Sequence, residues 1–347
     1  MNQTKWFLQP GPEHDIAIST RIRLARNITD YPFPSRMNDP QRQELNERIG
    51  KALSTADTAP LSFSYFDMAQ TDDAVRWSMV ERHLISPQFA RYPEGRFLYL
   101  SEDERVSIMV GEEDHLRIQV LTAGLNPTEG LALAQKIDAI FDRSFRYAFD
   151  EQLGYLTECP TNLGTGLRAS VMLHLPALRR NGSIARISST VSKLGLTVRG
   201  AYGEGTDPAG DFYQLSNQIT LGISEEEAVN NLSGLTSQII LQERKARQAE
   251  AENRFLLEDR TYRALGLLKS ARLMSGDEFL KLSSTLRMGL SLKIIDCEVL
   301  LTALNSLIFD VGAATLQKGA GRLLPEQERD TLRAQVIRER LEPLLRD

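Results

Sequence analysis

Five arginines lie in apolar or glycine-rich stretches, where a charged side chain is unexpected. Arg21 and Arg23 lie two apart in STRIRLARN, so an extended backbone would point both side chains to one face. The others follow apolar or glycine-rich residues, at Arg117 (HLR), Arg168 (GLRAS) and Arg199 (VRGAYGE). A lone arginine of this kind is usually solvated or paired with a carboxylate. Five together predict a site for a phosphate-rich anion, because guanidinium groups bind phosphate bidentately and a magnesium-bound nucleotide such as ATP is strongly anionic along its phosphates.

Two glutamates and a cysteine are candidates for handling the acceptor of that phosphoryl group. Glu112 lies in GEEDH at an expected turn, and Glu204 lies in the glycine-flanked loop of RGAYGEG. The alternative interpretation is that acidic residues simply favour solvated turns. If the acceptor were a guanidinium, it would be a cation and a poor nucleophile, and two carboxylates could grip it, align one nitrogen and take up its proton. Cys159 is either a buried structural thiol or a thiolate that neighbouring arginines keep deprotonated and that orients the guanidinium.

Composition excludes several classes of protein. The 347 residues are 41% hydrophobic and 25% charged, which is typical of a soluble globular chain. No apolar run approaches the roughly 18 residues of a membrane span, and the N-terminus has no secretory signal. The net charge of −5 argues against general nucleic-acid binding, and two distant cysteines form no metal-ligand pattern. We therefore expect a cytoplasmic protein that has no metal site of its own and binds neither nucleic acid nor membranes.

The elements that must position the arginines are short strands in the first half of the chain. Helices are expected at 128–147 and 183–194, where apolar residues recur at helical spacing. Several strands follow one another without crossover helices, which favours an antiparallel or mixed sheet and an α+β fold. The expected strands are FLYL at 97–100, VSIMV at 106–110, LRIQVL at 116–121, ASVMLHLPAL, LTVRGAY and FYQLSNQITLG.

The second part of the chain is expected to be helical. After about residue 224 a long stretch has no proline and little glycine, which predicts one long helix or two in sequence. Further helices should be broken at Ser275-Gly276, at Gly312 and between Gly319 and Pro325. We therefore divide the chain into a sheet-based catalytic domain at 1–224 and an all-helical domain at 225–347.

The segment CPTNLGTGLRAS gives the most specific motif. It lacks the lysine of a P-loop and resembles the Cys-Pro-x-Asn-x-Gly-Thr signature of the phosphagen (guanidino) kinases, which move the ATP γ-phosphoryl group onto a guanidinium nitrogen. STRIRLARN, GEEDHLR and RGAYGEG also occur in the order expected of that family's catalytic domain, over residues 19 to 205. The resemblance implies that Glu112 and Glu204 hold and deprotonate the acceptor, with Cys159 beside it.

The resemblance also implies a set of ATP-binding residues, with Mg²⁺ held by the ATP phosphates and not by the protein. These residues are Ser19, Thr20, Arg21, Ile22, Arg23, His83, Arg117, Arg168, Ala169, Ser170, Val171, Met172, Arg199, Gly200, Ala201, Tyr202, Gly203 and Glu204.

The chain departs from the metabolite kinases of this family. Those enzymes carry a helical N-terminal domain before their STRIR-like segment, which starts here at residue 19. That domain supplies the loop that encloses a free amino-acid substrate, so an open acceptor site is expected here. Tyr202 stands where those kinases tend to have a second arginine, and Gly111 replaces the asparagine of their Asn-Glu-Glu-Asp segment.

The whole pattern, including ERDTLRAQVIRERL, resembles the bacterial protein-arginine kinases. Their Arg-Asp-x-x-Arg-Ala motif, implied to bind phosphoarginine allosterically, is matched by Arg329, Asp330, Arg333 and Ala334. Two arginines four residues apart lie on one face of a helix, where both could bind the phosphoryl group of phosphoarginine. The neighbouring carboxylate could bind the guanidinium that carries this phosphoryl group. The alternative from this motif alone is an exposed, salt-bridged helix.

The resemblance implies several partners, and other functions stay open. In that family, proteins with accessible arginines are phosphorylated and thereby directed to a Clp ATPase and protease, a heat-shock repressor is inactivated, and a zinc-binding protein is the activator. The alternatives are a kinase for free arginine or a similar metabolite, and a non-catalytic phosphoarginine-binding adaptor. The apolar run IIDCEVLLTALNSLIF at 294–309 predicts either a homodimer surface or a buried core helix.

Overall fold

An antiparallel sheet of eight strands is the centre of the fold in the computed structural model, which describes residues 5–200 and 208–344. Its strand order is β2-β3-β4-β5-β1-β8-β10-β9, and every neighbouring pair is antiparallel. A separate small hairpin is formed by β6 and β7. The strands are β1 Ala17–Arg26, β2 Phe63–Asp67, β3 Phe97–Ser101, β4 Val106–Val110, β5 Leu116–Ala123, β6 Phe149–Asp150, β7 Gly154–Tyr155, β8 Leu167–His174, β9 Leu196–Gly200 and β10 Phe212–Asn217.

Helices surround the sheet and make up the C-terminal region. The expected α+β class is confirmed, as are the strands foreseen at 97–100, 106–110 and 116–121. The helix expected at 128–147 ends at Asp142, since Tyr147 pairs with Ile28 beside the end of β1. The helices are α1 Asp39–Thr55, α2 Asp73–Glu81, α3 Pro87–Arg91, α4 Pro127–Asp142, α5 Pro176–Arg180, α6 Ile184–Ser192, α7 Glu225–Ala251, α8 Arg254–Ser270, α9 Gly276–Ser291, α10 Glu298–Asp310, α11 Ala313–Ala320 and α12 Glu326–Leu341.

The two faces of the sheet differ at its centre. Strand β1 alternates, with Ile22 and Leu24 fully buried toward α4 while Arg21 and Arg23 point to the other side. Each buried aliphatic side chain of this kind contributes about 1.5–3 kcal/mol to stability. The face toward α4 therefore holds the sheet in place, and the opposite face carries the arginines together with apolar side chains such as Leu121 and Met109.

Helix α7 begins at the residue where we divided the chain. A capping box forms between Ser224 and Glu227, because each side chain accepts a backbone N–H of the other residue. The apolar side chains of α7, among them Val229 and Ile239, join the core beneath the sheet. A turn then separates α7 from α8, so the long helical stretch is two helices. The packing therefore ties α7 to the sheet. Helices α8, α9, α10 and α12 form a second core, which also includes Ile18, Met172 and Phe212 of the sheet.

A buried polar network joins the sheet to the C-terminal helices. Arg247 of α7 donates to Glu243 (2.8 Å) and to both Nδ1 (3.1 Å) and the carbonyl of His174 on β8. Since Nδ1 accepts, the Nε2–H of His174 donates to Ser284 Oγ on α9, at 2.9 Å. Burial, and then the positive charge of Arg247, lower the pKa of His174 well below its usual value. The imidazole is therefore neutral at physiological pH.

The apolar run at 294–309 lies mostly in helix α10. Leu300, Leu304 and Leu307 are buried in the core of the C-terminal helices, whereas Val299 is 63% exposed. Within the part of the chain that the structure describes, no single helix is long and apolar enough to cross a membrane. One pair, Val299–Asp310 and Ala313–Ala320, meets that test only when the two are joined across a 74° bend.

Candidate active site

The strand register brings four of the five arginines onto one face of the sheet centre. Arg23 on β1 lies directly opposite Arg168 on β8 and opposite Gln119 on β5. Arg21 is two residues before Arg23, and Arg117 is two residues before Gln119, so period-2 alternation keeps all of them on this face. Arg199 on β9 lies opposite Gln214 on β10, which places it on the same face toward the sheet edge. The five arginines that the sequence singles out therefore form one surface.

This surface is strongly electropositive. Burial, followed by repulsion from Arg117 and Arg168, lowers the pKa of Arg21 to about 10. Burial, followed by repulsion from Arg21, Arg117 and Arg168, lowers the pKa of Arg23 well below its usual value. The negative charge of Glu112 opposes that shift. The buried Nε of Arg23 has no hydrogen-bond partner among the described residues. Guanidinium groups that repel one another at such proximity fit a polyanion, which would relieve their repulsion and satisfy donors such as Arg23 Nε.

Glu112 lies in the turn between β4 and β5, beside the arginines. Its carboxylate is paired with Arg117 Nη1 at 2.5 Å and also accepts the Ser86 hydroxyl. Arg117 Nη2 donates to the neighbouring Glu113 at 3.0 Å. The turn is closed by a hydrogen bond from Gly111 N to His115 O, and Gly111 has a φ of +76°. Glycine adopts that conformation without strain, so the departure from the family's asparagine suits the turn.

Cys159 approaches the arginine surface from a separate segment of the chain. Its thiol is partly exposed and lies 3.1 Å from the Thr161 hydroxyl, so it is not a fully buried structural thiol. Cys159 and Arg168 are close enough to interact electrostatically, and that interaction raises the pKa of Arg168 against the lowering caused by burial, Arg199 and Arg117. Glu204, the second proposed carboxylate, lies outside the described residues, as do Ala201, Tyr202 and Gly203.

His83 marks the other side of the same surface. It follows α2 with a φ of +59°, an uncommon conformation for a side chain other than glycine. Its carbonyl accepts Gln119 Nε2 at 2.8 Å, and its ring packs edge-on against Phe309 of α10. Burial and the charge of Arg21 lower the pKa of His83 to about 3. The imidazole is therefore neutral and can contact a nucleotide without adding charge.

A cavity of about 630 Å³ opens over this surface. Arg21, Arg23, Arg117 and His83 line one side of it. The other side belongs to the C-terminal helices and is mainly apolar, with Phe279, Leu280, Ile308, Val311 and Arg333. The cavity therefore combines a cationic wall with an apolar one.

The remaining proposed ATP-binding residues divide by strand face. Ser19, Ser170 and Met172 share the arginine face and, with Arg21, His83 and Gln214, line a small adjoining pocket. The opposite face carries Thr20, Ile22, Ala169 and Val171, which are buried. The Thr20 hydroxyl donates to Gly124 O at 2.7 Å, and only the backbones of these four could reach a ligand. Gly200 ends β9 beside the undescribed loop.

The C-terminal motif lies on α12 next to the cavity. Arg333 is buried, and its guanidinium donates to the carbonyls of Val311 (3.0 Å) and Met274 (2.9 Å) and to Asp330. Arg333 is therefore not one of the exposed, salt-bridged residues that the alternative interpretation of this motif predicts. Arg329 has a buried Nε without a partner among the described residues, and Ala334 is in the core of the C-terminal helices.

Sequence reasoning missed three polar residues of this site. Gln119 and Gln214 lie on the arginine face, and Gln214 Oε1 accepts Arg21 Nη2 at 2.9 Å. Ser86 contacts Glu112 from the N-cap of α3. The signal for the glutamines was available, since each interrupts an otherwise apolar strand at the same alternation as the arginines, in LRIQVL and FYQLSN.

Two family models match the chain. The catalytic domain of the ATP:guanido phosphotransferases matches residues 44–246, and the C-terminal domain of the protein-arginine kinase McsB matches residues 254–346. The first match ends within α7, and the second begins at Arg254, the first residue of α8.

Full-length relatives and solved structures agree with these models. A protein-arginine kinase from Symbiobacterium thermophilum is 44% identical over 98% of this chain and 97% of its own, and one from Brevibacillus brevis is 45% identical over 97% and 95%. A lombricine kinase crystal structure superposes with a TM-score of 0.57 at 26% identity, covering 70% of this chain and 72% of its own. A duplicated taurocyamine kinase from Schistosoma mansoni, with transition-state analogue components bound, gives 0.56 at 28% identity, covering 66% of this chain and 33% of its own.

Proposed function

Since this chain belongs to the ATP:guanido phosphotransferases and, within them, to the protein-arginine kinases, we propose that it transfers the ATP γ-phosphoryl group to arginine side chains of proteins. The observation that supports this most strongly is the arginine surface, with Glu112 and Cys159 at its border and a cavity above it. A cationic surface of this kind suits a nucleotide polyphosphate, and carboxylates at its border suit a cationic acceptor.

The proposed reaction assigns each group a part. The arginine surface binds the phosphates and neutralises charge as it moves toward the leaving oxygen, and Mg²⁺ would travel with the phosphates. Glu112 and Glu204 hold the acceptor guanidinium so that one nitrogen faces the γ-phosphorus. The new N–P bond forms as the bond to the β–γ bridging oxygen breaks, ADP leaves, and a carboxylate takes the guanidinium proton. In this proposal Cys159, which is near Arg168, helps to orient the cationic acceptor.

Glu112 is engaged by Arg117 before any acceptor is present. The ion pair at 2.5 Å holds the carboxylate at the border of the arginine surface. An incoming phosphate would compete for Arg117, and an incoming guanidinium would compete for Glu112. Binding of the two substrates would therefore separate one internal ion pair and replace it with two intermolecular ones, which favours binding of both together.

We further propose how the kinase is regulated and which proteins it acts with. Phosphoarginine would act through Arg329, Asp330, Arg333 and Ala334, and the position of Arg333 on the wall of the nucleotide cavity supports an influence on ATP. The further proposals are a Clp ATPase and protease as the destination of phosphorylated proteins, a heat-shock repressor as a target, a zinc-binding activator, a homodimer and a cytoplasmic location.

Product analysis tests the proposal. The protein is incubated with Mg²⁺ and ATP labelled in the γ-phosphoryl group, together with either an unfolded arginine-containing protein or free arginine. We expect the label on arginine residues of the unfolded protein and little on free arginine. Efficient labelling of free arginine alone would indicate a metabolite kinase, and binding of phosphoarginine without any transfer would indicate an adaptor.

A further inference from the structure

Asn27, at the end of the STRIRLARN segment, connects three parts of the site. It is 2% exposed, and its amide donates to Asp114 Oδ1 (2.6 Å) and to the carbonyl of Leu156 (3.0 Å). Its side-chain oxygen accepts His115 N at 2.9 Å. One buried side chain therefore ties the end of β1 both to the turn that carries Glu112 and to the segment that leads to Cys159.

Asp114 completes the connection from the other side. It is fully buried, and the same Oδ1 that accepts Asn27 also accepts Glu158 N at 2.9 Å. Burial raises the pKa of Asp114, while the donors of Glu158 and Asn27 oppose that rise and favour the ionised carboxylate. Asp114 is two residues after Glu112, and Glu158 immediately precedes Cys159. The shared acceptor therefore fixes the distance between the two segments.

We propose that Asn27 and Asp114 are positioning residues that hold the Glu112 turn and the Cys159 segment at the spacing that the acceptor guanidinium requires. Neither residue belongs to the arginine surface, and neither lines the cavity above it. Their hydrogen bonds run to backbone and side-chain atoms of the two segments that approach the acceptor. This inference rests on the proposed function, because the acceptor is taken to be a guanidinium. The spacing of the Glu112 turn and the Cys159 segment can nevertheless be tested without measuring phosphoryl transfer.

This role predicts that loss of Asn27 affects binding of the acceptor and binding of the nucleotide differently. When Asn27 is replaced, the Glu112 turn and the Cys159 segment lose their common anchor, while the strands that carry Arg21, Arg23 and Arg168 keep their ladders. Acceptor binding and transfer should therefore suffer, and nucleotide binding should not. A hydrogen bond to a buried charged group is worth enough to change the acceptor KM by at least about tenfold.

The experiment compares Asn27→Ala with Asn46→Ala in the full-length protein. Asn46 is a matched control, because it is also buried in the catalytic region and makes side-chain hydrogen bonds, here to Tyr65 and Tyr99, away from the site. Three quantities are measured, namely the KM for an arginine-containing protein, the Kd for ATP, and the rate at which iodoacetamide alkylates Cys159. Cys297, also a free and partly exposed thiol, is the internal reference for alkylation.

For Asn27→Ala we expect the acceptor KM to rise at least about tenfold, the ATP Kd to change less than about twofold, and the alkylation rate of Cys159 to change relative to that of Cys297. Asn46→Ala should change none of the three. If Asn27→Ala does not fold, Asn27→Ser, which keeps one polar atom, is judged by the same criteria. Unchanged alkylation and KM, or equal losses for ATP and acceptor, would overturn the proposal. If the wild type transferred no phosphate, the proposed function would fail. The alkylation rate of Cys159 relative to that of Cys297 would still test whether Asn27 positions the Cys159 segment.

Discussion

Removing one guanidinium from the arginine surface should stabilise the free protein and weaken its response to ATP. Arg23 is the best choice, because it lies opposite Arg168, next to Arg21 and near Arg117, and has a buried Nε without a partner among the described residues. Arg23→Met keeps much of the side-chain volume and removes the charge. Two unit charges about 7 Å apart at an effective dielectric constant of about 20 repel by roughly 2 kcal/mol, and partial exposure reduces this to about 1 kcal/mol per neighbour.

Glu112 attracts Arg23 and offsets part of the repulsion from its three neighbours. We therefore expect the free energy of unfolding of the nucleotide-free variant to exceed that of the wild type by about 1–2 kcal/mol. With ATP present, the advantage of the variant should shrink. A ligand at 100 times its Kd stabilises a protein by about 2.7 kcal/mol, and a tenfold weaker Kd reduces this to about 1.4 kcal/mol. A charge-assisted contact to phosphate is worth about 1.5–3 kcal/mol, so at least that tenfold loss is expected.

The assay is denaturant unfolding with and without Mg²⁺ and ATP. Arg48→Met is the control, since Arg48 on α1 is paired with Asp30 and Tyr31 away from the site. The control should lose a little stability and keep the full ATP effect. The reasoning would be refuted if nucleotide-free Arg23→Met were less stable than the wild type, or if its stabilisation by ATP were undiminished.

Four further predictions test other parts of the account. Glu204→Gln should lower the transfer rate by at least about 10²-fold, as expected for loss of a general base, with the ATP Kd little changed; near-normal turnover would remove Glu204 from the mechanism. Arg168→Ala should weaken ATP binding more than adenosine binding in calorimetry, because its contact is to phosphate; equal losses would indicate a structural role. Arg333→Ala should abolish any effect of added phosphoarginine on activity, and a variant that still responds would separate α12 from regulation. Stability should fall as the pH drops below about 6.5, since the lowered pKa values of buried His83 and His174 mean that the unfolded chain takes up protons first; a flat denaturation midpoint between pH 7.5 and 5.5 would contradict this.

The sequence was most informative where side-chain period and spacing coincide. Period-2 alternation placed Arg21 and Arg23 on one face, and the structure shows both there. The helix breaks at Ser275-Gly276, at Gly312 and before Pro325 are the starts of α9, α11 and α12. Each of these features is local, so neighbouring residues determine it.

Features that depend on strand order could not be foreseen. Arg23 and Arg168 face each other only because β1 pairs with β8 across a sequence separation of more than a hundred residues. The same holds for the link from Asn27 to Asp114 and for the wall that α9 to α12 contribute to the cavity. Motif matching also assigned whole segments to ATP, whereas alternation sends the side chains of Ile22 and Val171 into the opposite core.

The central claim is that the site acts on arginine within proteins, and a ratio of kcat/KM values tests it most directly. One reaction contains an unfolded protein as the arginine source, the other contains free arginine, and phosphorylated arginine is quantified in both at neutral pH. The account predicts that kcat/KM is higher for arginine in the protein by at least an order of magnitude. Equal values, or a preference for free arginine, would contradict it.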